Sequence, residues 1–262
     1  MNSLRLGCVK YLNARPLIRG WPGNVEFDNP SALCQRLANH QLEVALVSSF
    51  EFLRNPIYRI VDEVSISSDG PVYSVVVAHR GAVSDIAEIE LDPASTTAVN
   101  LLRCLIGELG LTPRLTSSTP DSAGSCHARL VIGDRAIRFR QSHAGELRFW
   151  DLGEQWKELT GLPFVFALWL IRPEVPDATS IAQRLRGLRD ENLADIELVV
   201  SEAATDAADG KQEITPQFLD RYYNEYLRFG FGVLEKKALQ TFADLCSKHE
   251  VLPKRPREFS LV

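Results

Sequence analysis

The chain has 262 residues, 45% of them hydrophobic, which is enough to bury one large core or two smaller ones. A formal net charge of −5, without a basic stripe interleaved with aromatic residues, argues against a nucleic-acid partner. The longest apolar run, residues 164–171, is too short to cross a membrane and is typical of a strand buried on both faces.

The amino-terminal part of the chain alternates between strand and helix patterns. Asn29 and Pro30 mark the start of one helix, because Asn caps helices well and Pro fits their first turn. The order βαβαβ indicates a parallel sheet with right-handed crossovers. The predicted strands are residues 4–9, 25–28 and 44–47, and the predicted helices are residues 13–18, 29–39 and 49–53.

A long extended stretch at residues 72–78 precedes a second alternation of strands and helices. Gly110 ends the helix that opens at Ser95, and Pro173 ends the second long extended run. From residue 179 onward the apolar spacing predicts helices alone. The predicted strands of this part are residues 89–91, 130–132 and 164–171.

Two α/β units joined by two long strands predict two lobes with a ligand cleft between them. We expect lobe I to contain residues 1–79 and 172–262, and lobe II, inserted into it, to contain residues 80–171. The cleft is the expected active site, and hinge closure around a ligand is the usual motion of such lobes.

Small hydroxyl residues cluster where predicted strands end, which is where open α/β sheets bind ligands. Ser48 and Ser49 follow one strand, and Ser67 and Ser68 belong to a second such segment. These residues offer a polar, uncharged lining for a small oxygen-rich molecule. Neither segment contains an obvious metal ligand, a nucleophile–base pair or a glycine-rich nucleotide loop.

Other candidate ligand contacts follow the remaining strands. The helix that opens at Ser95, Thr96 and Thr97 presents free N–H groups that favour a carboxylate or phosphate, although Ser95 is also a good helix cap. Asn13 is placed either to bind a ligand or to hold its own turn. Residues 133–134 either bring bare backbone to a ligand or form an ordinary turn.

The five cysteines and five histidines form no recognised metal or redox pattern. The cysteines lack C-x-x-C spacing and their number is odd, which is typical of buried reduced thiols. The histidines lack the H-x-x-x-H and H-E-x-x-H spacings of zinc sites. We therefore expect no metal and no cofactor.

Five segments of the chain resemble the menaquinone-biosynthesis chorismate dehydratase family of the futalosine route. The match runs in order from about residue 5 to residue 172, and more loosely through DRYYNEYLRFGFG. The resemblance implies a type II periplasmic-binding-protein-like α/β fold. It also implies a hydro-lyase that converts chorismate to 3-[(1-carboxyvinyl)oxy]benzoate and water. The matching segments are VKYLNARPL, VALVSSFEFLRNP, SISSDGPVYSV, VIGDRAI and DLGEQWKELTGLPFVFALW.

The resemblance also implies roles for individual residues. By motif position, the functional asparagine of the family corresponds to Asn13 and its functional serine to Ser74. We hypothesise that these two catalytic residues hold the leaving hydroxyl and the enolpyruvyl carboxylate of the substrate. No strong base lies in the matching segments, so the substrate's own carboxylate is the hypothesised proton acceptor. The expected substrate-binding residues are Ser48, Ser49, Ser68, Gly70, Ser95, Thr96, Thr97, Gly133 and Asp134.

The chain departs from the family pattern in the segment DPASTT. An arginine often occupies the position that is Thr96 here. The cation for one substrate carboxylate is therefore expected either from elsewhere, such as Arg15, or not at all.

Two other functions remain open at this point. A solute-binding receptor shares the implied fold, but no secretory or lipoprotein signal is visible, and we expect a cytoplasmic protein. The related dihydroxynaphthoate synthase of the same route is disfavoured because no histidine lies in the expected cleft segments. The expected partner is a small molecule, chorismate, bound by a monomer or a homodimer.

Overall fold

The computed structural model describes residues 4–92, 94–117, 128–207, 214–254 and 258–262. These residues form two five-stranded sheets with helices packed against them. The first sheet contains β1 (Leu6–Val9), β2 (Val25–Asp28), β3 (Val44–Ser48), β4 (Arg59–Ser68) and β10 (Phe164–Ile171). The second sheet contains β5 (Val75–His79), β6 (Glu88–Leu91), β7 (Arg114–Ser117), β8 (Ala128–Ile132) and β9 (Arg148–Asp151).

Helices connect most of these strands and form the carboxyl-terminal part of the chain. The first six are α1 (Arg15–Ile18), α2 (Pro30–Ala38), α3 (Ser49–Arg54), α4 (Thr96–Glu108), α5 (Gly133–Ser142) and α6 (Leu152–Thr160). The others are α7 (Ala178–Ala194), α8 (Ile196–Ala207), α9 (Pro216–Arg221) and α10 (Val233–Lys248). Short 3-10 turns span Leu12–Ala14 and Val83–Asp85, and a π-helical turn spans Tyr222–Tyr226.

The first sheet has the strand order β2-β1-β3-β10-β4. β1 runs parallel to both β2 and β3, which confirms the predicted βαβαβ arrangement. β10 runs antiparallel between β3 and β4. All five residues of β3 are buried, as expected for an apolar strand in the middle of a sheet covered on both faces.

The second sheet has the strand order β7-β6-β8-β5-β9. β6 pairs in parallel with β7 and β8, whereas β5 lies antiparallel between β8 and β9. Each sheet thus combines parallel strands with one antiparallel strand, β10 or β5, that follows in the chain directly after a segment of the other sheet. This arrangement confirms the predicted fold class, an α/β fold of two lobes.

The strands β5 and β10, which correspond to the two predicted extended stretches, lie in different sheets from those that the predicted domain boundaries assign to them. β5 belongs to the second sheet and β10 to the first, although boundaries after residues 79 and 171 place them the other way round. The chain therefore crosses between the sheets near residues 69–74 and 161–163, before each long strand. Apolar pattern identifies a buried strand but does not show which sheet it joins. Below, lobe I and lobe II denote the first and second sheets with the helices packed on them.

The carboxyl-terminal helices pack mainly against lobe I. α7 packs against α1 and β4, and α10 packs against β10 and also reaches α4 of lobe II. Among the residues that the structure describes, no helix is long and apolar enough to cross a membrane. Cys8, Cys34, Cys104 and Cys246 are buried free thiols, whereas Cys126 lies outside the described residues.

Candidate functional site

A narrow cleft with a volume of about 60 Å³, partly open to solvent, lies between the lobes. Lobe I supplies the segment after β1 and the ends of β3 and β10, and lobe II supplies the starts of α4 and α5. Its described lining contains no charged side chain, but most of it is apolar, and the predicted polar surface is limited to a few residues such as Asn13, Ser48 and Thr97. The lining residues are Val9, Tyr11, Asn13, Pro30, Val47, Ser48, Ile66, Val75, Ser95, Thr97, Ile132, Gly133, Phe166 and Ala167.

The cleft brings together five of the predicted site residues from four separate segments of the chain. These five are Asn13, Ser48, Ser95, Thr97 and Gly133. The other six predicted residues do not line it in this structure. They are Ser49, Ser68, Gly70, Ser74, Thr96 and Asp134.

Asn13 lines the cleft and has a buried side-chain oxygen. Its Oδ1 is buried and has no hydrogen-bond partner among the described residues. A buried acceptor without a partner costs about 1–3 kcal/mol, so proteins rarely keep one without a use for it. The preceding residue fixes the turn, because Leu12 N donates to Asp134 Oδ1 at 3.0 Å and Leu12 O accepts from Tyr223 at 2.9 Å. This arrangement suits a ligand that donates a hydrogen bond to Asn13.

Thr97 of α4 joins the two lobes across the cleft. Its Oγ1 hydrogen-bonds to Ser48 Oγ and accepts from Phe50 N at 3.3 Å. Ser49 Oγ lies 3.5 Å from the same oxygen and donates to Val165 O at 2.7 Å. Ser49 is therefore anchored to β10, whereas Ser48 and Thr97 line the cleft and also hold it closed.

The start of α4 is capped by Ser95 and lies at the cleft. Ser95 Oγ accepts from Ala98 N at 3.1 Å, which makes Ser95 the cap of the helix, and Ser95 also lines the cleft. Thr96 O accepts from Asn100 Nδ2 at 2.9 Å, and its side chain is not part of the lining. The first free N–H groups of α4 thus lie at the lobe II edge of the cleft.

Ser74 is fully buried directly behind the cleft wall. Its Oγ accepts a hydrogen bond from the Tyr222 hydroxyl at 2.7 Å, and its carbonyl accepts from Gly133 N at 2.8 Å. Its neighbours Val75 and Gly133 both line the cleft. Burial raises the pKa of the Tyr222 phenol, which keeps this hydroxyl protonated. Ser74 is thus one residue away from the cleft and is held in place from behind.

The turn before Ser74 is strained and is held by a carboxylate that the sequence analysis missed. Tyr73 has a φ of 65°, a left-handed conformation that is uncommon for a bulky residue. Asp151 accepts from Val72 N at 3.1 Å and from Tyr73 N at 2.8 Å, and it also caps α6. The missed signal was the helix-capping pattern DLGE at residues 151–154, which marks Asp151 as the start of a helix.

Ser68 and Gly70 belong to the same turn and lie against the start of α6. Ser68 Oγ donates to Gly70 O at 3.0 Å. A Cβ at Gly153 would approach Gly70 O to 2.6 Å and Ser68 Oγ to 2.7 Å. The structure therefore places Ser68 at the end of β4 and Gly70 in the crossing between the lobes.

Gly133 lets α5 begin directly at the cleft. Its φ is +60°, and an added Cβ would come within 3.2 Å of the Tyr11 ring. Both constraints favour glycine. Tyr11 was not predicted as a site residue, although it lies two positions before Asn13 in the segment YLN.

Asp134 contacts the site from outside the cleft. It lines an adjoining cavity with Lys10, Arg15 and Arg138. Burial raises the pKa of its carboxyl to about 6, against the opposing effects of the Leu12 N–H and the charges of Arg138 and Arg15. Its bond to Leu12 N joins lobe II to the turn that contains Asn13.

The cations nearest in sequence to the predicted site lie in cavities beside the cleft. Arg15 forms an ion pair with Asp206 at 2.6 Å and lines three of these cavities, two of which it shares with Lys10. Arg15 is therefore not among the residues that line the cleft. Within the described parts of the chain, no group of three or more metal-ligating side chains is placed to hold a metal ion.

Comparison with known families and sequences gives consistent matches along the chain. A family model described as menaquinone biosynthesis matches residues 4–248. A chorismate dehydratase of Thermus thermophilus is 30% identical over 264 residues, which cover 93% of this chain and 95% of that protein. A chorismate dehydratase of Campylobacter jejuni is 28% identical over 159 residues, which cover 60% of this chain and 58% of that protein.

Solved structures with low sequence identity share the fold. A protein of Archaeoglobus fulgidus superposes with a TM-score of 0.75 at 17% identity, covering 95% of this chain and 98% of its own. The alkanesulfonate-binding protein of Xanthomonas axonopodis, bound to MOPS, gives a TM-score of 0.69 at 17% identity. This match covers 97% of this chain and 95% of the other. The shared architecture is that of periplasmic-binding-protein-like structures.

Proposed function

The chain belongs to the menaquinone biosynthesis family, and we propose that it is a chorismate dehydratase. The proposed reaction releases water from chorismate and gives 3-[(1-carboxyvinyl)oxy]benzoate. The observation that supports this proposal most strongly is the buried, unpaired Oδ1 of Asn13 in an uncharged cleft between two lobes. Chorismate contains a hydroxyl group that can donate to this oxygen.

The chemistry of this reaction suits a cleft without strong acids or bases. Chorismate loses a ring proton and the neighbouring hydroxyl, and the ring becomes aromatic. Because aromatisation supplies the driving force, the protein mainly has to orient the substrate and exclude water. The apolar side chains in the cleft, among them Val47, Ile66 and Phe166, suit both tasks.

We assign the two central contacts to Asn13 and Ser74. In this proposal, Asn13 accepts a hydrogen bond from the leaving hydroxyl and fixes its orientation. Ser74 donates to the enolpyruvyl carboxylate once opening of the lobes brings the ligand against the wall beside Val75. Ser48, Ser95 and Thr97 complete the polar lining from both lobes. Ser49, Ser68, Gly70, Thr96, Gly133 and Asp134 support these segments from the positions described above.

The proton acceptor in this proposal is the substrate's own side-chain carboxylate. The described cleft lining contains no charged side chain that could take the ring proton. A carboxylate built into the substrate is close to the ring at high effective concentration. We therefore propose a carbon–oxygen lyase that needs no cofactor and acts in the cytoplasm, as befits an enzyme of a biosynthetic route.

Incubation of the purified protein with chorismate, without added metal or cofactor, tests the proposal. We expect mass detection to show loss of one water and formation of the aromatic ether. Unchanged chorismate that nevertheless raises the melting temperature would indicate a solute-binding protein instead. A methyl ester at the side-chain carboxylate tests the proton acceptor separately, because the ester should react far more slowly.

A further inference from the structure

We infer that Tyr222 is a positioning residue that orients the Ser74 hydroxyl as a hydrogen-bond donor toward the substrate. This inference deepens the proposed function and rests on it. Tyr222 is remote in sequence, 148 positions after Ser74, and lies in the loosely matching segment DRYYNEYLRFGFG, for which no site residue was predicted. In the sequence it belongs to an aromatic stripe with Phe218 and Tyr226, a pattern typical of a helix core.

The hydrogen bonds that Ser74 forms determine whether its hydroxyl acts as a donor or as an acceptor toward a ligand. A serine hydroxyl has one donor and two acceptor sites. The Tyr222 hydroxyl, 2.7 Å away, donates to Ser74 Oγ and so occupies one acceptor site. The Ser74 hydroxyl donates to no acceptor among the described residues. Its proton is therefore free to be donated to an oxygen of a ligand that reaches Ser74 when the lobes open.

The environment of Tyr222 maintains this direction. Tyr222 is fully buried, and its phenol therefore stays neutral and remains a donor. A hydrogen bond donated to a hydroxyl polarises it and strengthens the bond that this hydroxyl donates in turn. The ring of Tyr222 stacks on Phe218 with centroids 5.8 Å apart, which restricts its movement. Phe218 packs in turn on Tyr73, the strained residue next to Ser74.

The backbone around Tyr222 supports a functional role. Residues 222–226 form a π-helical turn, a rare conformation that occurs frequently at functional sites. The next residue, Tyr223, donates to Leu12 O at 2.9 Å, beside Asn13. Two consecutive tyrosines of one π-helical turn thus hold the two segments that contain the proposed catalytic residues.

A double-mutant cycle with Tyr222→Phe and Ser74→Ala tests the inference. The phenylalanine keeps the ring and removes only the hydroxyl that faces Ser74. We expect Tyr222→Phe to lower kcat about tenfold, the effect of one hydrogen bond, with KM changed less than about twofold. In the Ser74→Ala background, the same substitution should have no further effect, because the group that it orients is absent.

Tyr226→Phe is the matched control. Tyr226 lies on the same π-helical turn, and its hydroxyl accepts a hydrogen bond from Arg221 at 3.2 Å and none from Ser74. This variant should keep the wild-type kcat. Thermal unfolding of all variants measures any effect on the fold.

Three results would overturn the inference. The first is a Tyr222→Phe protein with wild-type kcat, and the second is an equal loss of rate with and without Ser74. The third is a Tyr222→Phe chain that does not fold, which would make the hydroxyl a purely structural group. Wild-type protein that leaves chorismate unchanged would overturn the proposed function as well, and this result is distinguishable from the other three.

Discussion

At the scale of single residues, the proposed site depends on polar groups that the fold leaves unsatisfied. Asn13 has a buried oxygen without a partner among the described residues, and Ser74 has a hydroxyl oriented from behind by Tyr222. Sequence resemblance predicted Asn13 and Ser74, because each lies in a contiguous segment. It did not predict the roles of Tyr222 and Asp151, although both lie in matching segments, because their contacts with the site arise only from tertiary packing.

Asn13→Ala should lower turnover of chorismate without weakening the fold. The substitution removes the unpaired buried oxygen, so the melting temperature should stay the same or rise. The rate should fall at least about tenfold, because the leaving hydroxyl loses its partner. Steady-state kinetics and thermal unfolding measure the two effects. The exposed Asn39→Ala is the control and should change neither.

Asp134 should make the stability of the protein depend on pH. Its pKa is raised from 3.8 to about 6 in the folded protein, so folding favours the protonated form. This contribution is fully present below pH 4 and is lost as the pH rises through about 6. Urea unfolding between pH 4 and pH 7 should therefore show a smaller decline of stability in Asp134→Asn than in wild type. If the free energy of unfolding declined equally with pH in the two proteins, the raised pKa of Asp134 would be contradicted.

At the scale of secondary-structure elements, the sequence predicted strands that have a regular apolar or alternating pattern and missed several others. β2 and β10 have the predicted bounds, Val25–Asp28 and Phe164–Ile171. The strand β4 was missed because Glu63 adopts a left-handed conformation inside it and its pairing with β10 shifts register twice. The short β9 and the helix α6 were also missed, although together they fix the crossing that precedes Ser74.

Asp151 should be important for stability, because it links this crossing to α6. Asp151→Ala should lower the free energy of unfolding by about 3 kcal/mol, since it leaves buried N–H groups of two segments without an acceptor. Asp151→Asn should cost less, because one of the two oxygens remains. Denaturant unfolding measures both variants. The exposed Asp190→Ala should have almost no effect.

At the scale of the whole molecule, several polar contacts join the two lobes, among them those of Glu108 in α4 with Lys248 and His249 at the end of α10. Thr97 of lobe II bonds to Ser48 and Phe50 N of lobe I, and Asp134 bonds to Leu12 N. The sequence predicted the two lobes and the cleft, but it assigned β5 and β10 to the wrong sheets. Domain membership depends on hydrogen bonds between distant strands, which a local pattern does not reveal.

Thr97→Val should favour the open arrangement of the lobes. The two side chains have nearly the same shape, but valine cannot form the hydrogen bonds to Ser48 and Phe50 N, worth about 1 kcal/mol each. Small-angle X-ray scattering without ligand should show a larger radius of gyration than for wild type. Thr96→Val, whose side chain does not line the cleft, is the control. An unchanged radius would show that these bonds do not control closure.

The central claim is that this cleft dehydrates chorismate by positioning the substrate, without a metal or cofactor. The most direct measurement is the initial rate of water loss from chorismate, followed by mass, for wild-type protein dialysed against a chelator. We expect steady conversion of chorismate to the aromatic ether, at a rate that is the same in metal-free buffer. Chorismate recovered unchanged, or a rate that returns only when a metal is added, would contradict it.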